Sequence, residues 1–304
     1  MTRSLAQSLR TLTRDCIDQY RHGGLGAVVK RALYFLFDPR RPLIRKELSS
    51  WGNREQLRPD PGIHGTPGLV TVIIPVYDRV SELRESVDSV LSQTYRYFEL
   101  LLITDGSPPE TLHVVEQYAG HPQVRIFHFS DNSGTAVRGR NVGICEARGE
   151  FVAFQDSDDI AEPGRLAESV SALQETQADI VYGGWRARVE VPRQGVEAYD
   201  AEVFLPRPFS IKDLFRNNRI CHGSVMMRKV VFGDIGMYKP HMRFREDHEL
   251  WLRAAYYGYR FHTVSKVLTI LRIHNSNNTL NFILDDTDWY RLMLSEYKVR
   301  GPLL

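Results

Sequence analysis

The chain has 304 residues, of which 42% are hydrophobic and 25% charged, with a formal net charge of +2. These proportions belong to a folded globular protein. They exclude a disordered chain, a collagen-like fibre and a disulfide-stapled miniprotein, and the near-neutral balance excludes a molecule that binds nucleic acid through its overall charge.

The charge is uneven along the chain. Residues 1–50 carry ten Lys/Arg and four acids, a net of +6, so the remainder is negative. No run approaches the ~18–20 apolar residues that span a bilayer. Arg10, Arg14, Asp15 and Asp18 interrupt any signal-peptide core. Within this basic, partly amphipathic arm, residues 27–29 and 32–37 are apolar. They suit either an anionic membrane surface or packing on the main domain or on a second subunit. Three cysteines (Cys16, Cys145, Cys221) lie far apart, with neither a disulfide framework nor a zinc spacing, as in a reducing compartment. The expected location is therefore cytoplasmic, peripheral at most to the inner face of a membrane.

A Gly-, Pro-, Asn- and Asp-containing linker covers residues 51–68, and regular alternation follows. Apolar runs predict strands over 69–76, 98–103, 124–129, 151–154 and 179–182. Helices are predicted over 81–91, 110–118, 135–147 and from Pro163 onward. Strands and helices recurring in this way demand crossover connections and a parallel sheet. After Gly183 the rhythm changes. One or two strands lie within 186–205, joined by a turn at 192–195. A short helix follows at 211–215, a strand at 225–227, a helix at 246–257, and short strands at 261–264 and 267–273. The expected fold is α/β, a Rossmann-like, mostly parallel central sheet flanked by helices and continued by a smaller mixed α+β lobe. Residues 69–281 form this one domain, and 282–304 a C-terminal helix or tail.

Ligands of open parallel sheets bind beyond the carboxyl ends of the strands. Those ends carry Tyr77-Asp78-Arg79, Thr104-Asp105-Gly106-Ser107, Asp131-Asn132-Ser133-Gly134 and Asp156-Ser157-Asp158-Asp159. Any one of these could cap a helix; four acidic turns in succession point to a cleft. Three carboxylates in four residues raise each other's pKa. A hard cation such as Mg²⁺ or Mn²⁺ relieves the conflict, although the run would also serve as an acidic N-cap for the helix near Pro163. There is no Walker A loop, dinucleotide fingerprint or H-E-x-x-H. His113, His121 and His128 are expected at the surface.

Val72-Ile73-Ile74-Pro75-Val76-Tyr77-Asp78-Arg79, Thr104 to Ser107, Gly139-Arg140-Asn141-Val142-Gly143, Gly149 to Asp159, Glu246-Asp247-His248-Glu249-Leu250-Trp251-Leu252-Arg253 and Arg272-Ile273-His274 together resemble the family 2 glycosyltransferases of the GT-A fold, over roughly residues 69–275. The resemblance implies inverting, metal-dependent transfer of a sugar from a nucleotide-sugar, with a UDP-sugar favoured, to a glycan or lipid-linked acceptor in bacterial-type polysaccharide or glycolipid synthesis. It assigns the mixed lobe to the acceptor. It implies that Pro75, Tyr77 and Asp105 border the base and ribose, and that Arg140 reaches the base or diphosphate. Asp156 and Asp158 match the D-x-D element for ribose and Mg²⁺ or Mn²⁺. Asp247 matches the catalytic base, where an N-cap is the alternative, and His274 a late metal or diphosphate ligand.

Thr104 departs from the family's usual aspartate and Asp78 from its usual asparagine, which bears on the choice of base. Trp185 and Trp251 suit either sugar stacking or core packing, and Cys221 to Ser224 lie where acceptor contacts would form. A catalytically inactive sugar-binding or scaffold protein of the same fold and a nucleotidyltransferase making nucleotide-sugars are the competing readings.

Overall fold

A computed structural model of the protein describes residues 65–189, 200–210, 213–214, 218–240, 242 and 245–273. The basic arm, the linker up to residue 64, the turn at 192–195, most of the 211–215 helix, His274 and the 282–304 tail lie outside the described residues.

One nine-stranded sheet organises the described residues, in the order Val124–Phe129, Phe98–Asp105, Thr66–Val76, Gly149–Phe154, Met226–Arg228, Ile180–Val189, Phe261–Ile273 and Ile160–Ala161, with Asp200–Phe204 paired to Ile180–Val189. Its first half follows the apolar runs. Strands β1 (Thr66–Val76), β2 (Phe98–Asp105), β3 (Val124–Phe129) and β4 (Gly149–Phe154) are mutually parallel. They read as near-continuous apolar runs because helices cover both faces. Helix α1 (Val80–Leu91) buries Leu83, Val87 and Val90, a stripe at helical spacing. Helix α2 is Pro109–Glu116 and helix α3 is Val137–Glu146.

Helix α3 lies unusually close to β1 because two glycines one turn apart face the strand. A Cβ at Gly143 would lie 2.5 Å from Ile73 Cγ2, and one at Gly139 would lie 2.9 Å from Pro75 Cβ. Gly143→Val is expected to lower the thermal midpoint through overpacking of about 1–3 kcal/mol. A calorimetric melt equal to wild type would show that α3 has room to spare.

After β5 (Ile160–Ala161) and α4 (Arg165–Thr176), the chain builds the mixed half. Strands β6 (Ile180–Val189) and β7 (Asp200–Phe204) pair antiparallel, and β6 joins the strand expected over 179–182 to the first of those expected within 186–205. β8 (Met226–Arg228) inserts between β4 and β6, antiparallel to both. Helices α5 (Val230–Ile235) and α6 (Glu246–Tyr256) precede β9 (Phe261–Ile273), which runs parallel to β6.

The two short strands expected over 261–273 are one strand with a bulge. Gly183 pairs with Val264 but Gly184 pairs with Val267, which leaves Ser265 and Lys266 unopposed. Three elements have no counterpart in the sequence reading: β5, only two residues long, α5, a short helix of low periodicity, and the single 3-10 turn His222–Ser224.

Helix α6 is anchored by burial. Leu250, Trp251 and Leu252 are fully buried, so Trp251 packs the core and offers no face to a sugar. Glu249, also buried, pairs with Arg253 one turn on at 2.8 Å and with Lys239 at 3.1 Å. Arg253 then donates to the Ile235 carbonyl and, at 2.8 Å, to the Met237 carbonyl. The segment leading to Tyr238 is thereby tied to α6.

Candidate active site

Two loops meet at the carboxyl end of β2. Gly106 has φ +65°, and a Cβ there would lie 2.5 Å from the Asn132 backbone nitrogen. Glycine alone allows the β2 loop to close on the β3 loop. That contact brings Ser133 to Asp105, whose Oδ2 accepts the Ser133 hydroxyl at 2.7 Å and the Ser133 amide at 3.1 Å. Arg138 of α3 pairs with Asp105 Oδ1 and with Asp131 at 2.8 Å. Asp105 is thus held in place at both oxygens. Pro75 is buried beneath Gly139, and Tyr77, just past β1, is 45% exposed.

Thr104 turns to the opposite face of β2 from Asp105. Its hydroxyl lies 3.0 Å from His128 Nδ1, and His128 Nε2 lies 2.9 Å from Glu116 Oε1. Thr104, one of the two residues that depart from the family pattern, is therefore engaged in a chain across β2, β3 and α2. His128 is exposed as expected, yet it links two elements.

The acidic turn after β4 rests on a buried frame. Arg165 donates to Gln155 Oε1 at 2.5 Å and to the Phe154 carbonyl, and the Gln155 amide donates to the Asp159 carbonyl at 2.7 Å. Helix α4 is capped at Gly164 without a side chain, so the acidic run is not its N-cap.

The three carboxylates diverge. Asp156 and Asp158 have side chains 31% and 19% exposed. Asp159 is buried: Oδ1 accepts the Arg272 amide at 3.0 Å and Oδ2 has no hydrogen-bond partner. Burial, reinforced by the charges of Asp156 and Asp158, pushes Asp159 well above the usual carboxylate range. Asp156 does not follow the expected mutual repulsion. Burial acts to raise it, but Arg140 at 2.8 Å holds it below its ordinary value. Arg79 lies 3.9 Å from Asp158. Basic groups from other elements thus enter a turn that has none of its own.

Asp247 is the second residue of α6. The helix is preceded by Arg245 in left-handed backbone, φ 55°, so Asp247 sits inside the first turn and is not the cap. Its Oδ2 accepts Asn218 Nδ2 at 2.7 Å. Burial first, then the neighbouring Glu246 charge, lift its pKa from 3.8 to about 6. That value suits a general base at neutral pH.

Arg140 joins the two sides. One guanidinium nitrogen donates to Asp156 at 2.8 Å and another donates to Glu246. Burial acts to lower its pKa, yet Asp156 and Glu246 raise it, so the cation is permanent. Tyr238 lies against it, with 5.7 Å from the guanidinium carbon to the ring centroid. The Tyr238 backbone is held at both polar atoms by Asn141, at 2.8 and 3.0 Å, and its hydroxyl lies 2.8 Å from His222 Nε2. Burial and Arg140 push His222 down to about 3. The Cys221–Ser224 stretch therefore contributes a neutral, buried imidazole beneath Asp156.

Arg140 and Asp156 share one ion cluster that reaches Glu246, and hence the turn carrying Asp247. Asp105 is tied to the same helix, α3, through Arg138. Asp158 and Tyr77 stand at the adjoining strand ends. Arg138, Tyr238 and Asn218 had no assigned role in the sequence reading; no local motif announces them, because Arg138 reaches Asp105 across 33 positions and Asn218 reaches Asp247 across 29. Among the described residues no three His, Cys, Asp or Glu converge as a closed metal cage. Asp156 and Asp158 are partly exposed carboxylates, the kind of oxygen donor that a hard cation takes when substrate phosphates and water complete its shell.

Residues 71–236 match the description of Glycosyl transferase family 2. EpsE of Bacillus subtilis, named as a glycosyltransferase, is 31% identical over 238 residues, covering 77% of this chain and 80% of its own length. TuaG of the same organism, named as a glycosyltransferase of teichuronic acid biosynthesis, is 27% identical over 214 residues, covering 70% and 82%. Among solved structures, S. aureus TarS 1-349 in complex with UDP-GlcNAc aligns with a TM-score of 0.60 at 20% identity, over 76% of this chain and 65% of that one. The mannosyltransferase PcManGT of Pyrobaculum calidifontis, in complex with GDP-Man and Mn²⁺, aligns with a TM-score of 0.54 at 16% identity, over 89% and 75%. At such identities these structures establish the fold, which is of the GT-A type.

Proposed function

The chain belongs to glycosyl transferase family 2 and is a glycosyltransferase, and on that premise we propose that it moves a sugar from a nucleotide-sugar to a hydroxyl of a glycan or lipid-linked acceptor, with inversion, in bacterial polysaccharide or glycolipid synthesis. The name of TuaG supports the pathway class, and the UDP-GlcNAc complex of TarS supports a UDP-sugar donor. Family membership displaces the nucleotidyltransferase reading. The observation that carries the mechanism is Arg140 bridging Asp156, at the acidic turn, to Glu246, the residue before Asp247, whose carboxyl burial raises to about 6.

In this reading Tyr77 and Pro75 border the base and Asp105 takes ribose hydroxyls. Arg140 serves the donor through Asp156. Asp156 and Asp158, with His274 outside the described residues, would hold Mg²⁺ or Mn²⁺. When bound, that ion supplies Lewis-acid stabilisation of the leaving diphosphate. Asp247 accepts the acceptor hydroxyl's proton as the oxygen attacks the anomeric carbon from the face opposite the diphosphate, and in-line attack inverts that centre.

A thermal-shift and donor-hydrolysis panel of UDP-, GDP- and dTDP-sugars with and without Mn²⁺ tests the reading. The expected result is the largest upward shift, with slow hydrolysis, for a UDP-sugar with Mn²⁺, since a ligand of the native state alone stabilises it by mass action. Neither shift nor hydrolysis with any donor would leave an inactive scaffold.

The +6 charge of residues 1–50 favours an anionic membrane surface as the place of work. Each Lys or Arg near such a leaflet contributes ~1 kcal/mol. Flotation with anionic liposomes at low salt should recover the protein, and Lys30→Glu/Arg31→Glu should weaken recovery. Absence of the wild type from the floating fraction would make the arm a packing element.

A further inference from the structure

Arg140 is 5% exposed, too enclosed to swing out to a ligand, and both of its terminal nitrogens are already committed. They bind carboxylates 90 positions apart in sequence, Asp156 beyond β4 and Glu246 at the start of α6. The Nε has no hydrogen-bond partner, and the Tyr238 ring lies against the guanidinium. The fold invests in this placement. Gly139 and Gly143 let α3 press on β1, which sets the depth of Arg140, and Asn141, the next residue, clamps the Tyr238 backbone. Glu246 itself is largely enclosed, with a side chain 15% exposed.

The geometry points to Arg140 and Glu246 as positioning residues: Asp156, Arg140 and Glu246 form a strut, buried at Arg140, that locks the donor-side strand end to the helix turn carrying Asp247. The inference rests on the proposed role of Asp247 as base. Its physical content is that donor and acceptor groups must be held in register, and small misplacements of a reacting group can cost about 10²-fold in rate. A lysine could not replace the strut, because one ammonium cannot make the two-sided planar contact of a guanidinium. Among the described residues the charged or titratable groups around Asp247 are Glu246 and Arg140, with Arg245 at the helix start and Tyr238 and His248 beside them; burial raises Tyr238 far above its ordinary value and lowers His248 to about 3, so both are neutral. Removing the Glu246 charge therefore removes the anion adjacent to Asp247 and leaves the Arg140 cation.

The test uses the full chain with Glu246→Gln, Arg140→Lys, the double variant and Asp247→Asn. Turnover, its pH dependence, affinity for a nucleoside diphosphate with Mn²⁺, and melting are read for each. Glu246→Gln should lower kcat about 10–100-fold with diphosphate affinity within a few-fold of wild type. Its acid limb should move to lower pH, a shift that a merely structural role would not produce. The double variant should be no slower than Arg140→Lys alone, because the second substitution removes a strut already broken. Wild-type kcat and an unmoved limb in Glu246→Gln, or losses that multiply in the double variant, would overturn the proposal. If Arg140→Lys does not fold, Glu246→Gln decides by itself. Normal turnover in Asp247→Asn would instead remove the base reading, and the non-additivity of the other two variants would still report on the strut.

Discussion

Asp247→Asn is expected to reduce turnover by about 10²–10⁴-fold, the usual loss on removing a general base, while donor affinity stays within a few-fold. The two effects separate because proton acceptance contributes only in the transition state, and a group of that kind lowers kcat without weakening ground-state binding. The amide keeps the size of the side chain and the contact to Asn218 but cannot take the acceptor's proton. The pH dependence follows with its sign. Burial and Glu246 raise Asp247 to about 6, and the base works only when deprotonated. Wild-type kcat/KM should therefore fall about tenfold per pH unit below that value and level off above it. Initial rates of the wild type from pH 4.5 to 8, beside single-point rates of the variant, check both statements. A flat acid limb, or near-normal turnover in Asp247→Asn, would remove this residue from the mechanism.

The parallel half of the sheet was legible because each buried strand leaves a local trace. Val72-Ile73-Ile74 is apolar on both faces, and the polar, glycine-containing turns begin where the strands end. The helix carrying Asp247 was legible from its spacing. Its role as base came from the resemblance, since an acid in a first helical turn is equally suited to the helix dipole. What stayed hidden is what tertiary pairing decides. β8 sits between β4 and β6 although it follows β6 in the chain, and no periodicity reports a strand's neighbours. Ser265 and Lys266 interrupt the pattern of a single strand, so one bulged strand reads as two. Asp158 and Asp159 are adjacent and chemically alike, but one faces the cleft and the other the core. The pKa reading of the acidic turn failed at Asp156 for the same reason: Arg140, sixteen positions away, outweighs the repulsion visible in the local sequence.

That divergence makes the acidic turn separable by mutation. Asp158→Ala is expected to abolish the Mn²⁺-dependent part of nucleoside diphosphate binding, whereas Asp159→Asn should keep affinity within a few-fold. Asp158 is a partly exposed carboxylate at the strand end, and a cation shared between protein and phosphates needs such an oxygen. Asp159 is buried, favours its neutral form through burial and the charges of Asp156 and Asp158, and gives one oxygen to the Arg272 amide. Asparagine reproduces both the neutrality and the acceptor, so it leaves the turn in shape. Alanine at 159 would instead leave the Arg272 amide buried without its acceptor, a loss of about 1–3 kcal/mol in stability, and should show as a lower melting temperature rather than as a metal effect. Calorimetric titration of a nucleoside diphosphate with and without Mn²⁺ on wild type, Asp158→Ala and Asp159→Asn resolves the two roles. Equal affinity in all three proteins with and without metal would show that the diphosphate is held without a cation. A loss confined to Asp159→Asn would mean that the buried carboxylate, turned outward, is the one that serves the donor.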